Sequence, residues 1–135
     1  MGLDMYLRAI KYDDSFKKGT IEEIGYWRKA NQIHNWFVTH VQGDVDNCAM
    51  YFVSEGHLEL LLEAVRYVLL FKDDMDKLIK VGEEVLPPCD GFFFGSTKID
   101  EDYVETLEET VSILERGLDL YRSDDFVSIY YRSSW

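Results

Sequence analysis

The 135-residue sequence predicts a single α+β domain, with a mixed sheet of about four strands packed by three to four helices. Both ends of the chain alternate between apolar and polar residues, which is typical of half-buried strands. Between the ends, apolar residues recur at steps of three and four, the spacing of amphipathic helices. Hydrophobic residues make up 47% of the chain, which is enough for a packed core in one domain of this length.

The first 27 residues predict two extended segments. Residues 3–11 alternate between an apolar and a more polar face, so we expect a half-buried strand there. Residues 13–20 are polar and include a glycine, which indicates a loop or hairpin turn. Residues 21–27 are rich in β-branched and aromatic side chains, and we expect a short extended segment.

A helix is expected over residues 28–42, ended by Gly43. Four of its side chains share one helical face: Ala30, His34, Phe37 and Val41. A histidine within such an apolar stripe is either a buried, hydrogen-bonded core residue or part of a site, and the sequence leaves both interpretations open.

The middle of the chain predicts a buried strand followed by two helical pieces. Residues 48–53 form a compact apolar run, and Ser54 after them is a suitable helix N-cap. The first helix carries a broad apolar stripe: Leu58, Leu61, Leu62, Val65, Val68 and Leu69. The pattern breaks at residues 72–76, and a second helical piece then runs until Pro87 and Pro88 stop it.

The last third predicts a strand or tight loop over residues 91–97, a long helix capped by Asp100, and a closing strand over residues 126–132. The apolar face of the long helix is the most regular in the chain: Tyr103, Leu107, Val111, Leu114, Leu118 and Tyr121. Its opposite face is acidic: Glu101, Glu105, Glu108, Glu115 and Asp119. The closing strand is expected to pair with the N-terminal one.

The net charge of −12 restricts the classes of partner. It argues against direct nucleic-acid binding and against anionic membrane surfaces, because phosphates would be repelled. It leaves open a basic protein partner, mimicry of nucleic acid, or acidic helix faces that only keep the protein soluble. With no apolar run long enough for a membrane span and no basic leader, we expect a cytoplasmic protein.

Cysteine and histidine usage indicates neither a disulfide framework nor a metal site. Cys48 and Cys89 are expected to be free thiols, and the three histidines form no metal-ligand spacing with them. No motif indicates a cofactor, and no nucleophile elbow or comparable signature indicates catalysis. We therefore expect a protein without metal, cofactor or catalytic residues, while a small hydrolase or transferase stays an alternative.

The entry into the first helix is the first candidate binding site. Aromatic, cationic, amide and imidazole groups occur together there: Tyr26, Trp27, Arg28, Asn31, His34 and Asn35. On a helix, residues three and four apart share a face, so these groups could stack on a base-like ring and bind its polar edge.

The segment GFFFGST at residues 91–97 is the second candidate. Its glycines permit close approach of the backbone, and the amides of Gly95, Ser96 and Thr97 precede a helix start, where an anion can bind. Lys98 follows, but the segment is not a P-loop. The alternative is a core strand that ends in a polar turn.

The third candidate is an interface on the outer face of the terminal strands. If these strands pair, they expose Tyr6, Arg8, Tyr130 and Arg132, and Tyr and Arg are enriched at protein interfaces. The alternative is ordinary cross-strand pairing on a solvated face. A homo-oligomer is among the assemblies that this patch leaves open.

The segments MGLDMYL, EIGYWRKANQIHNWFV and GFFFGST, in this order, resemble a family of small uncharacterised proteins of bacteriophages and their bacterial hosts. The resemblance covers most of the chain and brings no established activity and no assigned residues. It implies a phage accessory protein made in the bacterial cytoplasm. Many such proteins counter host defences by sequestering a signalling nucleotide or by occupying a host protein. We therefore expect a non-enzymatic binding protein for a nucleotide-like small molecule, with an acidic protein-binding inhibitor as the alternative.

Overall fold

The computed structural model describes residues 2–13, 18–91, 94–123 and 126–135. The described part of the chain forms an α+β domain with four strands and four helices, as the sequence predicts. The strands are β1 (Asp4–Tyr12), β2 (Lys18–Arg28), β3 (Tyr51–Val53) and β4 (Val127–Ser134). The helices are α1 (Asn31–His40), α2 (Glu55–Leu69), α3 (Met75–Val85) and α4 (Glu101–Ser123).

The sheet has the strand order β2-β1-β4-β3. All three of its pairings are antiparallel, so the sheet is antiparallel where we expected a mixed one. The expected pairing of the two terminal strands is confirmed, and it places β1 and β4 at the centre. Of the loop expected over residues 13–20, residues 14–17 lie outside the described residues, and residues 18–20 already belong to β2, so that part of the prediction is wrong.

The helices pack on one face of the sheet, which we call the inner face. Alternate residues of β1 point into this layer, and Met5, Leu7 and Ala9 are fully buried. Helix α4 approaches β2 so closely that a Cβ at Gly25 would lie 2.3 Å from Cγ2 of Ile113. Glycine is needed at this position because any side chain would displace α4 from the sheet.

Helix starts follow the expected capping residues. Oγ of Ser54 accepts the N–H of His57, whose Nδ1 in turn accepts the N–H of Ser54, so α2 begins with a reciprocal capping box. Oδ1 of Asp100 accepts the N–H of Tyr103 at the start of α4. Both predicted caps are confirmed.

Two further predictions about local structure are wrong. The strand expected over residues 48–53 is reduced to β3, because Cys48 adopts a left-handed backbone conformation with φ of 59°. The run is also not buried, since Phe52 is 52% exposed at the sheet edge. The helix expected from residue 28 begins at Asn31, because Arg28 still belongs to β2.

The structure describes only part of the GFFFGST segment at residues 91–97. Residues 92 and 93 lie outside the described residues. Residues 94–97 form an irregular segment rather than a strand. Of the two structures expected there, the described residues therefore fit the loop.

Candidate functional site

The start of α1 and the segment after residue 93 lie side by side, joined by one buried amide. Nδ2 of Asn31 donates to the carbonyl oxygens of Phe94 at 3.0 Å and Ser96 at 2.9 Å. Oδ1 of Asn31 accepts the N–H of Cys89 at 3.0 Å. Because Asn31 is only 1% exposed, these hydrogen bonds are protected from water and hold three parts of the chain together.

The backbones of Lys29 and Gly95 meet at the same place. Lys29 has φ of 54°, and its N–H donates to the carbonyl of Leu3 at 2.7 Å. Gly95 has φ of 91°, and a Cβ there would lie 2.9 Å from Cβ of Lys29. Positive φ in a lysine costs roughly 1–3 kcal/mol and is often found where a ligand is held.

A pocket of about 220 Å³ lies between these two segments, and we call it the polar pocket. Three of its lining residues are cationic: Arg28, Lys29 and Lys98. Two are acidic, Asp100 and Asp102, and Asp100 is already engaged as the cap of α4. With three cations against two carboxylates, the polar pocket carries a small excess of positive charge in a chain whose net charge is −12. One of the three cations, Arg28, also lies 3.6 Å from Oδ1 of Asp4.

The first turn of α1 borders the polar pocket through Asn31 and Gln32. Helix α1 has no side-chain N-cap hydrogen bond and no acidic residue in its first turn. The N-terminal amides of a helix and the positive end of its dipole attract anions. Backbone and side chains thus favour the same sign of ligand charge.

A larger groove of about 610 Å³ adjoins the polar pocket, with which it shares Pro88, Lys98 and Asp100. We call it the apolar groove, because four of its eight described lining residues are apolar: Ile79, Pro87, Pro88 and Ile99. Its volume lies within the range of about 300–1,000 Å³ that is usual for small-molecule sites. The polar pocket and the apolar groove together are called the cleft.

Five of the predicted binding residues line the cleft, in one or other of its two parts. Arg28, Asn31, Gly95 and Ser96 line the polar pocket, and Thr97 lines the apolar groove. The two predicted segments therefore meet at one cleft.

Three residues of the first candidate site lie elsewhere. Trp27 is 2% exposed, and its Nε1–H donates to Oγ1 of Thr110 on α4 at 2.9 Å. Tyr26 lies on the outer sheet face, where its hydroxyl donates to Asp4. Nδ2 of Asn35 donates to the carbonyl of Pro87 at 3.1 Å.

His34 occupies the core between α1 and β4 and does not line the cleft. It is fully buried, with Nδ1 2.6 Å from the hydroxyl of Tyr131 and Nε2 2.9 Å from Oδ2 of Asp46. Because a carboxylate only accepts, Nε2–H donates to Asp46, and in the neutral imidazole Nδ1 then accepts from Tyr131. Burial raises the pKa of Tyr131 well above its ordinary value, so the hydroxyl keeps the proton that it donates.

The network continues from the buried His34 through Asp46 to the exposed Trp135. Oδ1 of Asp46 accepts Nε1–H of Trp135 at 2.9 Å, and the ring of Phe37 stacks on Tyr131 with centroids 3.9 Å apart. Of the two interpretations of His34, the geometry favours the structural one. The imidazole connects α1, β4 and the loop before β3.

Sequence reasoning missed several residues of the cleft. Lys29 carries no motif, and its positive φ has no sequence signal of the kind that glycine provides. Gln32, Pro88 and Asp102 also line the polar pocket. Lys98 directly follows GFFFGST, and this position is the sequence signal that it lies beside the predicted anion site.

The four residues of the predicted interface share the outer face of the sheet. The register places Tyr6 opposite Arg132 and Arg8 opposite Tyr130. This face lies on the opposite side of the sheet from the helices and the core.

No protein-family model, curated protein or solved structure matches this chain. Among the described residues, no group of three or more His, Cys, Asp and Glu side chains is arranged to hold a metal ion. No helix in those same ranges has the length and apolar character needed to cross a membrane.

Proposed function

We propose that this protein binds a nucleotide-like small molecule in the cleft and does not turn it over. The observation that carries the proposal is the junction of a cationic pocket with an apolar groove at Lys98. A nucleotide has the same division between an anionic phosphate and a flat, largely apolar ring. The phosphate would lie near Arg28 and Lys29, and the base would pack on Pro87 and Ile99.

Several groups in the polar pocket suit a phosphate in particular. Lysine and arginine supply charge-assisted hydrogen bonds, and the uncapped first turn of α1 supplies backbone amides. Oγ of Ser96 accepts the N–H of Lys98 at 3.1 Å, which leaves its hydroxyl proton available for a phosphate oxygen. Asn31 fixes this wall in place, so little ordering is required on binding.

Binding without turnover is favoured by the chemistry of the groups that line the cleft. Among the described lining residues there is no histidine or cysteine, and of the carboxylates that could act as a base, Asp100 already caps α4. Cys89, close by, has its pKa raised by burial and then by the charges of Asp46 and Asp90, which lowers its thiolate content. A hydrolase or transferase would need an activated nucleophile or a positioned base.

A thermal-shift series tests the proposal. Adenosine, adenosine monophosphate, a cyclic mononucleotide and inorganic phosphate should be compared at equal concentration. A ligand present at about 100 times its Kd stabilises the folded state by about 2.7 kcal/mol, which is a readily measured rise in Tm. We expect the nucleotides to raise Tm more than adenosine or phosphate alone. No rise with any nucleotide would overturn the proposal.

The biological setting is also part of the proposal and rests on the sequence resemblance. A phage accessory protein with such a cleft would sequester a signalling nucleotide in the host cytoplasm and so oppose a defence response. Sequestration needs affinity and abundance but no catalytic group, which agrees with the chemistry of the cleft.

A second candidate function, an acidic inhibitor that occupies a basic host protein, is supported by the outer face of α4. Glu101, Glu105 and Glu108 are exposed there and form no ion pair among the described residues. Such binding would weaken strongly with salt. A pull-down from host lysate at low salt that recovers no basic protein would contradict this function and leave the first one intact.

A further inference from the structure

The outer face of the sheet carries two tyrosines and two arginines in a checkerboard. Tyr6 faces Arg132 and Arg8 faces Tyr130 across the central pair of strands. Diagonal neighbours in a sheet lie about 7–8 Å apart, so the two arginines form one diagonal and the two tyrosines the other. The guanidinium carbon of Arg8 lies 4.4 Å from the centre of the Tyr6 ring.

In the part of the chain that the structure describes, both arginines of the checkerboard lack an anionic partner. Across residues 2–13, 18–91, 94–123 and 126–135, neither Arg8 nor Arg132 forms an ion pair. Glu23 lies opposite Arg8 in the register but forms no ion pair with it. The chain has 26 acidic residues against 14 lysines and arginines, so two adjacent unpaired arginines are unexpected. Their mutual repulsion would be relieved by a bound acidic surface.

An acidic surface of suitable dimensions lies on the other side of the same molecule. Glu101, Glu105 and Glu108 border a groove of about 320 Å³, which we call the acidic groove. With a rise of 1.5 Å per residue, neighbouring carboxylates in this row are about 4.5–6 Å apart along α4, somewhat closer together than the roughly 7–8 Å of the arginine diagonal. Met75 and Val104 supply an apolar floor, and Lys72 is the cation in its lining.

We propose that the checkerboard of one copy binds the acidic groove of a second copy. The carboxylates of α4 would pair with Arg8 and Arg132, while Tyr6 and Tyr130 pack on the apolar floor. Tyrosine and arginine are enriched in the centres of interfaces, and charge complementarity sets the orientation. This inference rests on the sheet face and α4, and is independent of the cleft.

The geometry defines the type of assembly. The acidic groove lies on the helix layer and the checkerboard on the uncovered sheet face, so one chain cannot join them within itself. The contact is therefore head-to-tail, and it continues into longer assemblies unless a ring closes. A symmetric sheet-to-sheet dimer would instead bring arginines of both copies together, which like-charge repulsion disfavours.

Sedimentation velocity of the full chain tests the proposal. At about 20 mM salt, where screening is weak, the weight-average mass should rise with concentration from the single-chain value to at least twice that value. At about 500 mM salt it should return to the 15.9 kDa of one chain. A wild-type protein that stays monomeric up to near-millimolar concentration at low salt overturns the proposal.

Two double variants then separate the two halves of the contact. The sheet variant carries Arg8→Gln and Arg132→Gln, and the helix variant carries Glu105→Gln and Glu108→Gln. Each should sediment as a monomer alone, while an equimolar mixture should form a two-chain complex, because one intact checkerboard meets one intact acidic groove. A mixture that stays monomeric refutes the head-to-tail contact. If the sheet variant loses assembly but the helix variant still assembles, the acidic groove is not the partner of the checkerboard.

Matched controls on α3 change the charge equally elsewhere. Lys77→Gln with Lys80→Gln removes two exposed cations, and Glu83→Gln with Glu84→Gln removes two exposed carboxylates. Both controls should assemble like the wild type. If either prevents assembly, net charge rather than the specific contact controls it, and the proposal fails.

Discussion

Removing the hydroxyl of Tyr131 should reveal how strongly the His34 network stabilises the fold. Tyr131→Phe keeps the ring that stacks on Phe37 but leaves Nδ1 of the fully buried His34 without a donor. An unsatisfied buried polar atom costs about 1–3 kcal/mol. The total free energy of unfolding for a small domain is about 5–15 kcal/mol, so the loss is readily measured.

Replacing His34, the hydrogen-bond partner of Tyr131, is expected to lower the free energy of unfolding by more. His34→Ala leaves a cavity, worth about 2–4 kcal/mol by analogy with other large-to-small core changes. It also leaves the Tyr131 hydroxyl unsatisfied, which adds about 1–3 kcal/mol. In the double variant that hydroxyl is absent, so the two losses should not add. We expect a coupling free energy of about 1–3 kcal/mol.

Urea unfolding followed by circular dichroism provides the free energies, from midpoints at unchanged slope. Tyr67→Phe is the matched control, because Tyr67 is 49% exposed and should change the free energy by less than about 0.5 kcal/mol. If Tyr131→Phe is as mild as this control, or if the two core substitutions are additive, the hydrogen bond is not structural and the reasoning fails.

Three further predictions follow from the cleft and from α4. Asn31→Asp sets a carboxylate against two carbonyl oxygens, so the backbone amides of residues 94–98 should exchange their hydrogens with solvent faster. The control Asn47→Asp should leave that exchange unchanged, because Asn47 uses only its Oδ1, which a carboxylate can replace. Gly95→Ala, strained at φ of 91° and close to Lys29, should destabilise by about 1–3 kcal/mol in calorimetry. Burial raises the pKa of Tyr103 in the folded state above its ordinary value of about 10 in the unfolded chain. The free energy of unfolding should therefore be unaffected by this group below about pH 10 and should fall as the pH rises above it. Tyr103→Phe should flatten that alkaline decline in urea midpoints, and an unchanged decline would contradict the assignment.

Much of the fold could be predicted from the sequence because its signals are local. The alternation in β1 and β4 and the stripe of α4 follow directly from the side-chain periods of strands and helices. The antiparallel arrangement depends on distant pairing, which periodicity does not specify. The shortened β3 follows from the left-handed Cys48, a conformation that the sequence does not mark.

The sequence indicates where the candidate site lies better than it indicates which side chains line it. Polar groups at the start of α1 and in GFFFGST indicated two segments, and Asn31 joins them. Which groups face a ligand depends on the rotation of α1 against the sheet. That rotation turns His34 into the core, while the alternation of side chains along β2 buries Trp27 and leaves Arg28 at the cleft. The apolar stripe containing His34 was the sequence signal for this outcome.

Isothermal titration of a nucleoside monophosphate into the wild type, Lys98→Ala and Lys80→Ala tests the central claim most directly. Lys98 lines both parts of the cleft, whereas Lys80 is an exposed lysine of α3 outside its lining. A charge-assisted hydrogen bond contributes about 1.5–3 kcal/mol, which corresponds to a loss of affinity of about 10- to 150-fold. We predict that loss for Lys98→Ala and wild-type affinity for Lys80→Ala. Equal affinity in all three proteins, or no heat of binding to the wild type, would contradict the claim.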